Sequence, residues 1–261
     1  MKRYERLNTL LESLAEKGAI DVDELAEQLH VSAATIRRDL DHLGKQQLLT
    51  RTRGGAVANA VSYDLPLRYK TARFASEKQR IAQAAATLVR RGMVIGMNGG
   101  TTISEVARTL ATRPELSAEH GEPAFTLVTN ALNIANELLV RSRMKIVVTG
   151  GVIHSRSYEL VGPFVEQLLR GVRLDIAFIG VNGMDAAAGA TTQDEREAAV
   201  NRMMAERARR AVVVTDSSKI GTVAFAAVGG AELFPVLLTD DGVDDASLTA
   251  LRAAGYEVLT A

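Results

Sequence analysis

Three observations predict an α/β protein in two parts: a helical N-terminal region ending in a basic hairpin, a long stretch of short apolar strands alternating with amphipathic helices, and an unpatterned segment containing Pro66 between them. The boundaries read from the pattern are residues 1–57, 58–75 and 76–261. Composition permits this. Of 261 residues, 47% are hydrophobic and 24% charged, enough apolar material for a core in each part. The 31 basic residues balance 31 acidic ones, and zero cysteines exclude a disulfide scaffold, a cysteine nucleophile and a thiolate zinc site. No run of 18 apolar residues occurs, so nothing spans a membrane. Met1-Lys2-Arg3-Tyr4-Glu5-Arg6 leads straight into a helical pattern without the apolar block of a signal peptide, and a cytoplasmic protein is expected.

Leu7, Leu10, Leu11 and Leu14 recur at helical spacing through residues 2–17, and Gly18 ends that helix. Asp21, with Glu24 three residues on, opens a short second helix carrying Leu25 and Leu29. Ser32 caps a third, whose buried stripe is Ile36, Leu40 and Leu43. Residues 48–57 read as two short strands about a basic turn, which completes the layout of a winged helix-turn-helix. Charge is concentrated there: residues 30–57 hold five basic side chains (Arg37, Arg38, Lys45, Arg51, Arg53) against two acidic ones (Asp39, Asp41). With the stripe inward, Thr35, Arg37 and Arg38 face outward near a helix start whose N–H groups and dipole favour phosphate. Thr35 can meet a phosphate or a thymine methyl, and an arginine reads guanine or clamps the backbone. Arg51 and Arg53 would follow phosphates or enter a neighbouring minor groove. The candidate DNA-binding set is therefore Ser32, Thr35, Arg37, Arg38, Arg51 and Arg53, with double-stranded DNA as partner. The alternative is that Arg37 and Arg38 pair with Asp39 and Asp41 on a solvated helix.

From residue 76 the candidate strands are 93–97, 125–129, 145–149, 174–181, 211–215, 234–239 and 256–260, with helical patterns such as Ile103, Val106, Ala107 and Leu110 between most of them. This implies a Rossmann-like parallel sheet covered on both faces. The first strand ends in Asn98-Gly99-Gly100-Thr101-Thr102, where adjacent glycines admit a ligand to the backbone and helix-start N–H groups point outward. Thr102 with Glu105 also fits a capping box. Other strands end in Thr129-Asn130, Gly150-Gly151, Gly180-Val181-Asn182 and Asp216-Ser217-Ser218-Lys219, all at the edge where open α/β sheets bind small molecules. Together these hydroxyls and amides suit a polyol, and Lys219 suits a phosphate; singly, Asn130 reads as a helix cap and Lys219 as a surface lysine. The candidate effector-binding residues are Asn98, Gly99, Gly100, Thr101, Thr102, Thr129, Asn130, Gly150, Gly151, Asp216 and Lys219. His30, His42, His120 and His154 lack metal-ligand spacing, so no metal and no cofactor are expected. Residues 194–210 read as a solvated helix laced with i,i+4 pairs, and Asp240, Asp241, Asp244 and Asp245 as an exposed acidic turn.

The run Leu25-Ala26-Glu27-Gln28-Leu29-His30-Val31-Ser32, then Thr35-Ile36-Arg37-Arg38-Asp39-Leu40, Leu43 and Arg53-Gly54-Gly55-Ala56, resembles the DNA-binding domain of the DeoR family of bacterial repressors. Thr129-Asn130, Gly150-Gly151, Leu160-Val161-Gly162-Pro163, Phe178-Ile179-Gly180 and Asp216-Ser217-Ser218-Lys219-Ile220-Gly221 resemble successive blocks of that family's sensor domain. The resemblance implies a sensor similar in fold to ribose-5-phosphate isomerase and the CoA transferases. It also implies a repressor of carbohydrate-metabolism genes that a phosphorylated sugar releases from its operator, with Gly100, Thr101, Thr102, Thr129, Asn130 and Lys219 as ligand contacts. Asn98 stands where the family commonly has an acidic residue. One winged domain reads one half-site, so a homo-oligomer, dimer or tetramer, is expected. The competing class is an isomerase or acyl-transfer enzyme with an appended DNA-binding domain, for which Asp185 or Asp216 beside Lys219 would supply the base.

Overall fold

The computed structural model describes residues 3–46, 48–57, 74–116, 123–139 and 144–261. The chain divides into two compact units, Met1–Arg73 and Phe74–Ala261. Of the expected linker, residues 58–73 lie outside the described residues. Phe74, in the left-handed region at φ 53°, and Ala75 already begin the first helix of the second unit. Among the described residues, no helix is long and apolar enough to cross a membrane.

In the first unit, α1 (Arg3–Lys17) buries Leu7, Leu10, Leu11 and Leu14. It stops at Gly18, whose positive φ of 72° is favourable only for glycine and whose N–H caps Leu14 O at 2.9 Å. Strand β1 (Ala19–Asp21) follows, and the Asp21 carboxylate caps α2 (Val22–Gln28) by accepting from Asp23 N and Glu24 N. Glu24 reaches Lys17 at 2.6 Å instead of closing a capping box. After a turn with His30 at φ 51°, α3 (Ala33–Lys45) starts at Ser32, and Ile36, Leu40 and Leu43 are fully buried. Each such side chain contributes roughly 1.5–3 kcal/mol of burial. The wing comprises β2 (Thr50–Arg51) and β3 (Gly55–Val57), in a three-stranded antiparallel sheet of order β1-β3-β2. A Cβ on Gly55 would lie 1.8 Å from Ile20 O, so only glycine lets β3 approach β1.

The second unit opens with α4 (Ala75–Thr87), β4 (Val94–Met97), α5 (Thr101–Thr112), β5 (Thr126–Thr129), α6 (Leu132–Leu138) and β6 (Lys145–Val148). A hairpin of β7 (Val152–His154) and β8 (Glu159–Val161), then α7 (Pro163–Arg170), leads to β9 (Leu174–Ile179). Next come β10 (Gly183–Asp185), β11 (Gly189–Thr192), α8 (Glu195–Glu206), β12 (Ala208–Val214), β13 (Ala226–Gly229), β14 (Val236–Thr239), α9 (Asp245–Ala253) and β15 (Glu257–Thr260). Seven strands form one sheet of order β15-β14-β12-β9-β4-β5-β6, and every pairing is parallel. Alternate residues serve opposite cores. Ile176, Phe178, Val212 and Val214 pack with α4 and α5, whereas Ala177, Ile179, Ala211 and Val213 pack with α7 and α8. Burial on both faces explains why these strands read as apolar runs. From β4 the chain moves outward through β5 and β6, then returns to β9 on the other flank of β4, which makes the carboxyl ends of β4 and β9 the topological switch point.

Three expectations are corrected. Helix α5 is capped by Gly100, at φ 111° with no side-chain cap, so Thr102 and Glu105 make no capping box; Glu105 instead binds Arg108 at 2.9 Å. Residues 194–210 are not a solvated helix. Helix α8 buries Glu197, Ala198, Val200, Asn201, Met204 and Ala205, and Arg209 and Arg210 lie on β12, whose basic start reaches past its apolar run. The acidic turn is only partly exposed: Asp240 is buried, accepting from Ser217 N at 2.6 Å and Gly242 N at 3.0 Å, while Asp244 caps α9.

Candidate functional site

The first candidate surface is the outer side of α3. Ser32 Oγ accepts from Thr35 N at 3.2 Å and lies 2.9 Å from Thr35 Oγ1, so the two hydroxyls close the helix start together. Arg37 and Arg38 follow, both exposed. Neither pairs with the neighbouring aspartates. Asp39 falls on the Ile36–Leu40–Leu43 face, 2% exposed, and binds Arg6 at 2.5 Å and Arg3 at 3.4 Å across from α1. Asp41 binds Arg51 at 2.8 Å. Arg37 and Arg53 have no ionic or hydrogen-bond partner among the described residues, and Arg38 reaches only Ala34 O at 3.3 Å. Arg51 is tied into the wing, bonding Asp41 and Gly55 O. Exposed cations beside a capped helix start can neutralise phosphates, and the unpaired ones lose no internal partner in doing so.

The second candidate site lies at the carboxyl edge of the parallel sheet. The Asn98 carboxamide bridges the switch point, donating to Gly180 O at 2.9 Å and accepting from Gly180 N at 2.8 Å. With both ends of its amide bound, Asn98 offers no base for isomerisation. Gly99 and Gly100 follow, and nothing lies within 4 Å of a Cβ built on Gly100. Its φ of 111° turns the chain into α5 at Thr101 and Thr102, so the first N–H groups of that helix end in a glycine loop. Thr129 is buried, and its hydroxyl accepts from Ala131 N at 3.0 Å. Asn130 is not the helix cap; Ala131 is. Asn130 Nδ2 instead donates to Glu159 Oε2 at 2.9 Å and Leu160 O at 3.1 Å.

Glu159 was not among the residues expected here. It is 4% exposed and sits over the loop, so a Cβ on Gly99 would be 2.5 Å from its Oε1. Gly151, at φ 123°, passes so close to Val165 and Val161 O that a Cβ would clash at 2.7 and 2.9 Å; Gly150, at φ 74°, is exposed. Both position the hairpin that carries Glu159. That hairpin is fastened at its other strand, where His154 Nδ1 lies 2.6 Å from Glu197 Oε1 and 3.1 Å from Ser157 Oγ. Asp194 caps the same helix, α8; its bond from the Arg196 guanidinium and those from backbone N–H groups hold its carboxyl below the ordinary range against the opposing effect of burial. Asp216 and Lys219 lie past the end of β12, two strands from β4 on the same edge; Asp216 is buried and bonded by Ser218 Oγ.

The sequence profile of the DeoR C terminal sensor domain matches residues 73–241, and that of the DeoR-like helix-turn-helix domain matches residues 6–61. The glycerol-3-phosphate regulon repressor of Escherichia coli (strain K12) is 32% identical over 240 residues, 92% of each chain. The HTH-type transcriptional regulator GlpR of Haloferax volcanii is 32% identical over 98% of this chain and 96% of its own. The HTH-type transcriptional repressor CsqR of Escherichia coli (strain K12) is 30% identical over 97% and 94%. Among solved structures, ribose 5 phosphate isomerase A from Neisseria gonorrhoeae matches 54% of this chain and 52% of its own at 19% identity and TM-score 0.38, too low to bear on function. Both units match one family and the relatives match along nearly their whole length, so the chain belongs to the DeoR family of transcriptional regulators.

Proposed function

We propose that the protein is a sequence-specific repressor of carbohydrate-metabolism genes. It binds operator DNA as a homo-oligomer and leaves it when a phosphorylated sugar occupies the second unit. The observation that carries this reading is the pairing, in one chain, of an α3 surface whose exposed cations have no ion-pair partner among the described residues and a glycine-loop helix start at a sheet switch point. Arg37, Arg38 and Arg53 are the phosphate and base contacts, Ser32 and Thr35 fix the helix start against the backbone, and Arg51 sets the wing. The phosphate of the effector lies on the N–H groups at Gly100–Thr102, and the sugar hydroxyls face the polar groups of the neighbouring strand ends. Effector binding shifts the population away from the operator-competent arrangement, so by linkage DNA weakens effector binding by the same factor. The names of the relatives, a glycerol-3-phosphate regulon repressor among them, support a phosphorylated carbon compound as effector.

The test is a thermal-shift screen of the full chain against sugar phosphates, each beside its unphosphorylated parent. A true ligand at about a hundred times its Kd adds roughly 2.7 kcal/mol. A shift with a sugar phosphate and none with its parent supports the reading; no shift across the panel removes the effector class proposed. In parallel, the Arg37→Ala/Arg38→Ala double variant should lower the salt slope of DNA binding by up to ~1.8 per bound reader, about 0.9 for each phosphate that is no longer neutralised. An unchanged slope and sequence preference would discard α3 as the reader.

A further inference from the structure

Asn98, read from the sequence as an effector contact, has both ends of its carboxamide bound by protein. Nδ2 donates to Gly180 O at 2.9 Å and Oδ1 accepts from Gly180 N at 2.8 Å. The residue follows the end of β4, is 2% exposed, and opens the loop that turns through Gly100 into α5. Backbone pairing between β4 and β9 ends at Met97 and Phe178. A carboxamide offers the donor and the acceptor of a peptide group, so Asn98 carries the pairing on where the ladder stops. The approach is close: a Cβ on Gly180 would lie 2.9 Å from Ile103 Cγ1 and 3.2 Å from Gly99 O. On the other flank, Ser104 Oγ donates to Gly100 O at 2.9 Å and accepts from Asn133 Nδ2 at 3.1 Å. The loop is thereby pinned at Asn98 and at Gly100, immediately before the N–H groups of the helix start.

We propose that Asn98 is a positioning residue for the phosphate of the effector. Without touching the ligand, its amide holds the glycine loop on the end of β9, in the form that converges the N–H groups of α5. The inference rests on the placement of the phosphate at Gly100–Thr102 proposed above. It follows that the group at position 98 must be uncharged. An ionised carboxylate there accepts but does not donate, sets a negative oxygen against Gly180 O, frees the loop and repels the ligand. A protonated carboxyl has one donor and one acceptor and repeats the pattern of the amide. The charged side chains on the surrounding elements are Glu159 on β8, against Gly99, Glu197 on α8, bound by His154, Glu105 and Arg108 on α5, bound to each other, and Asp175 on β9, accepting from Val94 N. All are common to the wild type and the variants below, so a difference between those proteins belongs to position 98.

The experiment uses the full chain, with inorganic phosphate and glucose 6-phosphate as probes. Affinities are measured by titration calorimetry for the wild type, Asn98→Ala and Asn98→Asp, with hydrogen exchange on the same samples. Titrations are run at about pH 5.5 and about pH 8, because burial and the facing Gly180 O raise the introduced carboxyl above the usual carboxylate range. Each variant is compared with the wild type at the same pH, which cancels the titration of the phosphate itself. Asn98→Ala should bind about tenfold or more weakly at both pH values, the scale of one lost charge-assisted hydrogen bond. Its exchange should quicken in peptides spanning 98–104 and not through the rest of 74–261. Asn98→Asp should be weaker by about the same factor at the higher pH and return to within about threefold of the wild type at the lower, where the carboxyl is protonated. An Asn98→Ala protein that binds like the wild type, or an Asn98→Asp deficit equal at the two pH values, overturns this inference and leaves the phosphate site standing. Fast exchange across the whole second unit in both variants overturns it too, since Asn98 then holds the fold and not the loop. No binding of either probe by the wild type overturns the phosphate placement, and this inference with it.

Discussion

Truncating Asp39 to alanine removes the one carboxylate that, among the described residues, neutralises the buried Arg6 guanidinium of the DNA-binding unit. Arg6 is 9% exposed and Asp39 2%, and the two are joined at 2.5 Å between α1 and α3. Without Asp39 the Arg6 charge stays buried and uncompensated, which costs about 3–5 kcal/mol. Arg3 is a weaker partner, at 3.4 Å with its side chain 60% exposed, so Arg3→Ala should cost under ~1 kcal/mol. The Met1–Arg73 unit, at ~0.05–0.15 kcal/mol per residue, holds only ~4–11 kcal/mol in all. Asp39→Ala therefore unfolds it partly or wholly and abolishes DNA binding, although the carboxylate touches no DNA. Hydrogen exchange on the full chain reads this directly: peptides from residues 3–57 should exchange faster in the variant and peptides from 74–261 should not. Replacing both partners, Arg6→Met with Asp39→Leu, should recover most of the lost protection, because no charge is then stranded. If Asp39→Leu alone is as protected as the double variant, the buried pair does not hold the helices as argued.

Gly55→Ala places a Cβ 1.8 Å from Ile20 O and should force β3 off β1, reducing operator affinity at least tenfold while leaving any effector-induced thermal shift intact; gel-shift and thermal-shift assays separate the two. Tyr256 has its phenol pushed up to about 12 by burial, with the charges of Glu232 and Asp185 adding, and its hydroxyl lacks a partner among the described residues. Tyr256→Phe should thus be neutral or stabilising by up to ~1 kcal/mol in calorimetry. The raised value also fixes the sign of its pH dependence. The unfolded phenol ionises first, so the tyrosine's contribution is complete below pH 10 and is lost as pH rises toward 12; this part of the alkaline destabilisation should be missing in the phenylalanine variant.

All seven strands of the parallel sheet were legible because burial on both faces writes them as Val-, Ile- and Leu-rich runs, and most of the sequence-derived ends fall within a residue or two of the observed ones. Strand β12 began earlier than expected because Arg209 and Arg210 precede its apolar run. The short strands β1, β7, β8, β10, β11 and β13 escaped notice: three or four residues give no period, and their pairing is decided by partners elsewhere in the chain. In the DNA-binding unit the leucine stripes and Ser32 reveal the helices, whereas the sequence pattern places Asp39 only in the alternative of a solvated ion pair with the neighbouring arginines and does not show its burial. Its position three residues after Ile36 puts it on the buried face, and Arg6, 33 residues away, supplies the close charge partner that makes that tolerable, with Arg3 a weaker second. At the sheet edge the Gly99-Gly100 pair and the strand-end threonines were visible as a pattern. Glu159 and the His154–Glu197 contact were not, because their partners lie 29 and 43 residues away and share no spacing rule. Asn130, which reads as a cap only when taken singly and otherwise as an effector contact, holds Glu159, a role hidden for the same reason: its partner is remote in sequence.

In the function proposed, one chain couples DNA release to occupancy of the sheet-edge site. The direct measurement is the affinity of the full protein for the sugar phosphate found in the thermal screen, taken by titration calorimetry with and without saturating DNA selected by this protein from a random library. Coupling predicts weaker effector binding in the presence of the DNA, by the same factor that the effector weakens DNA binding, typically about 5–150-fold. Equal affinities in the two titrations would contradict the account.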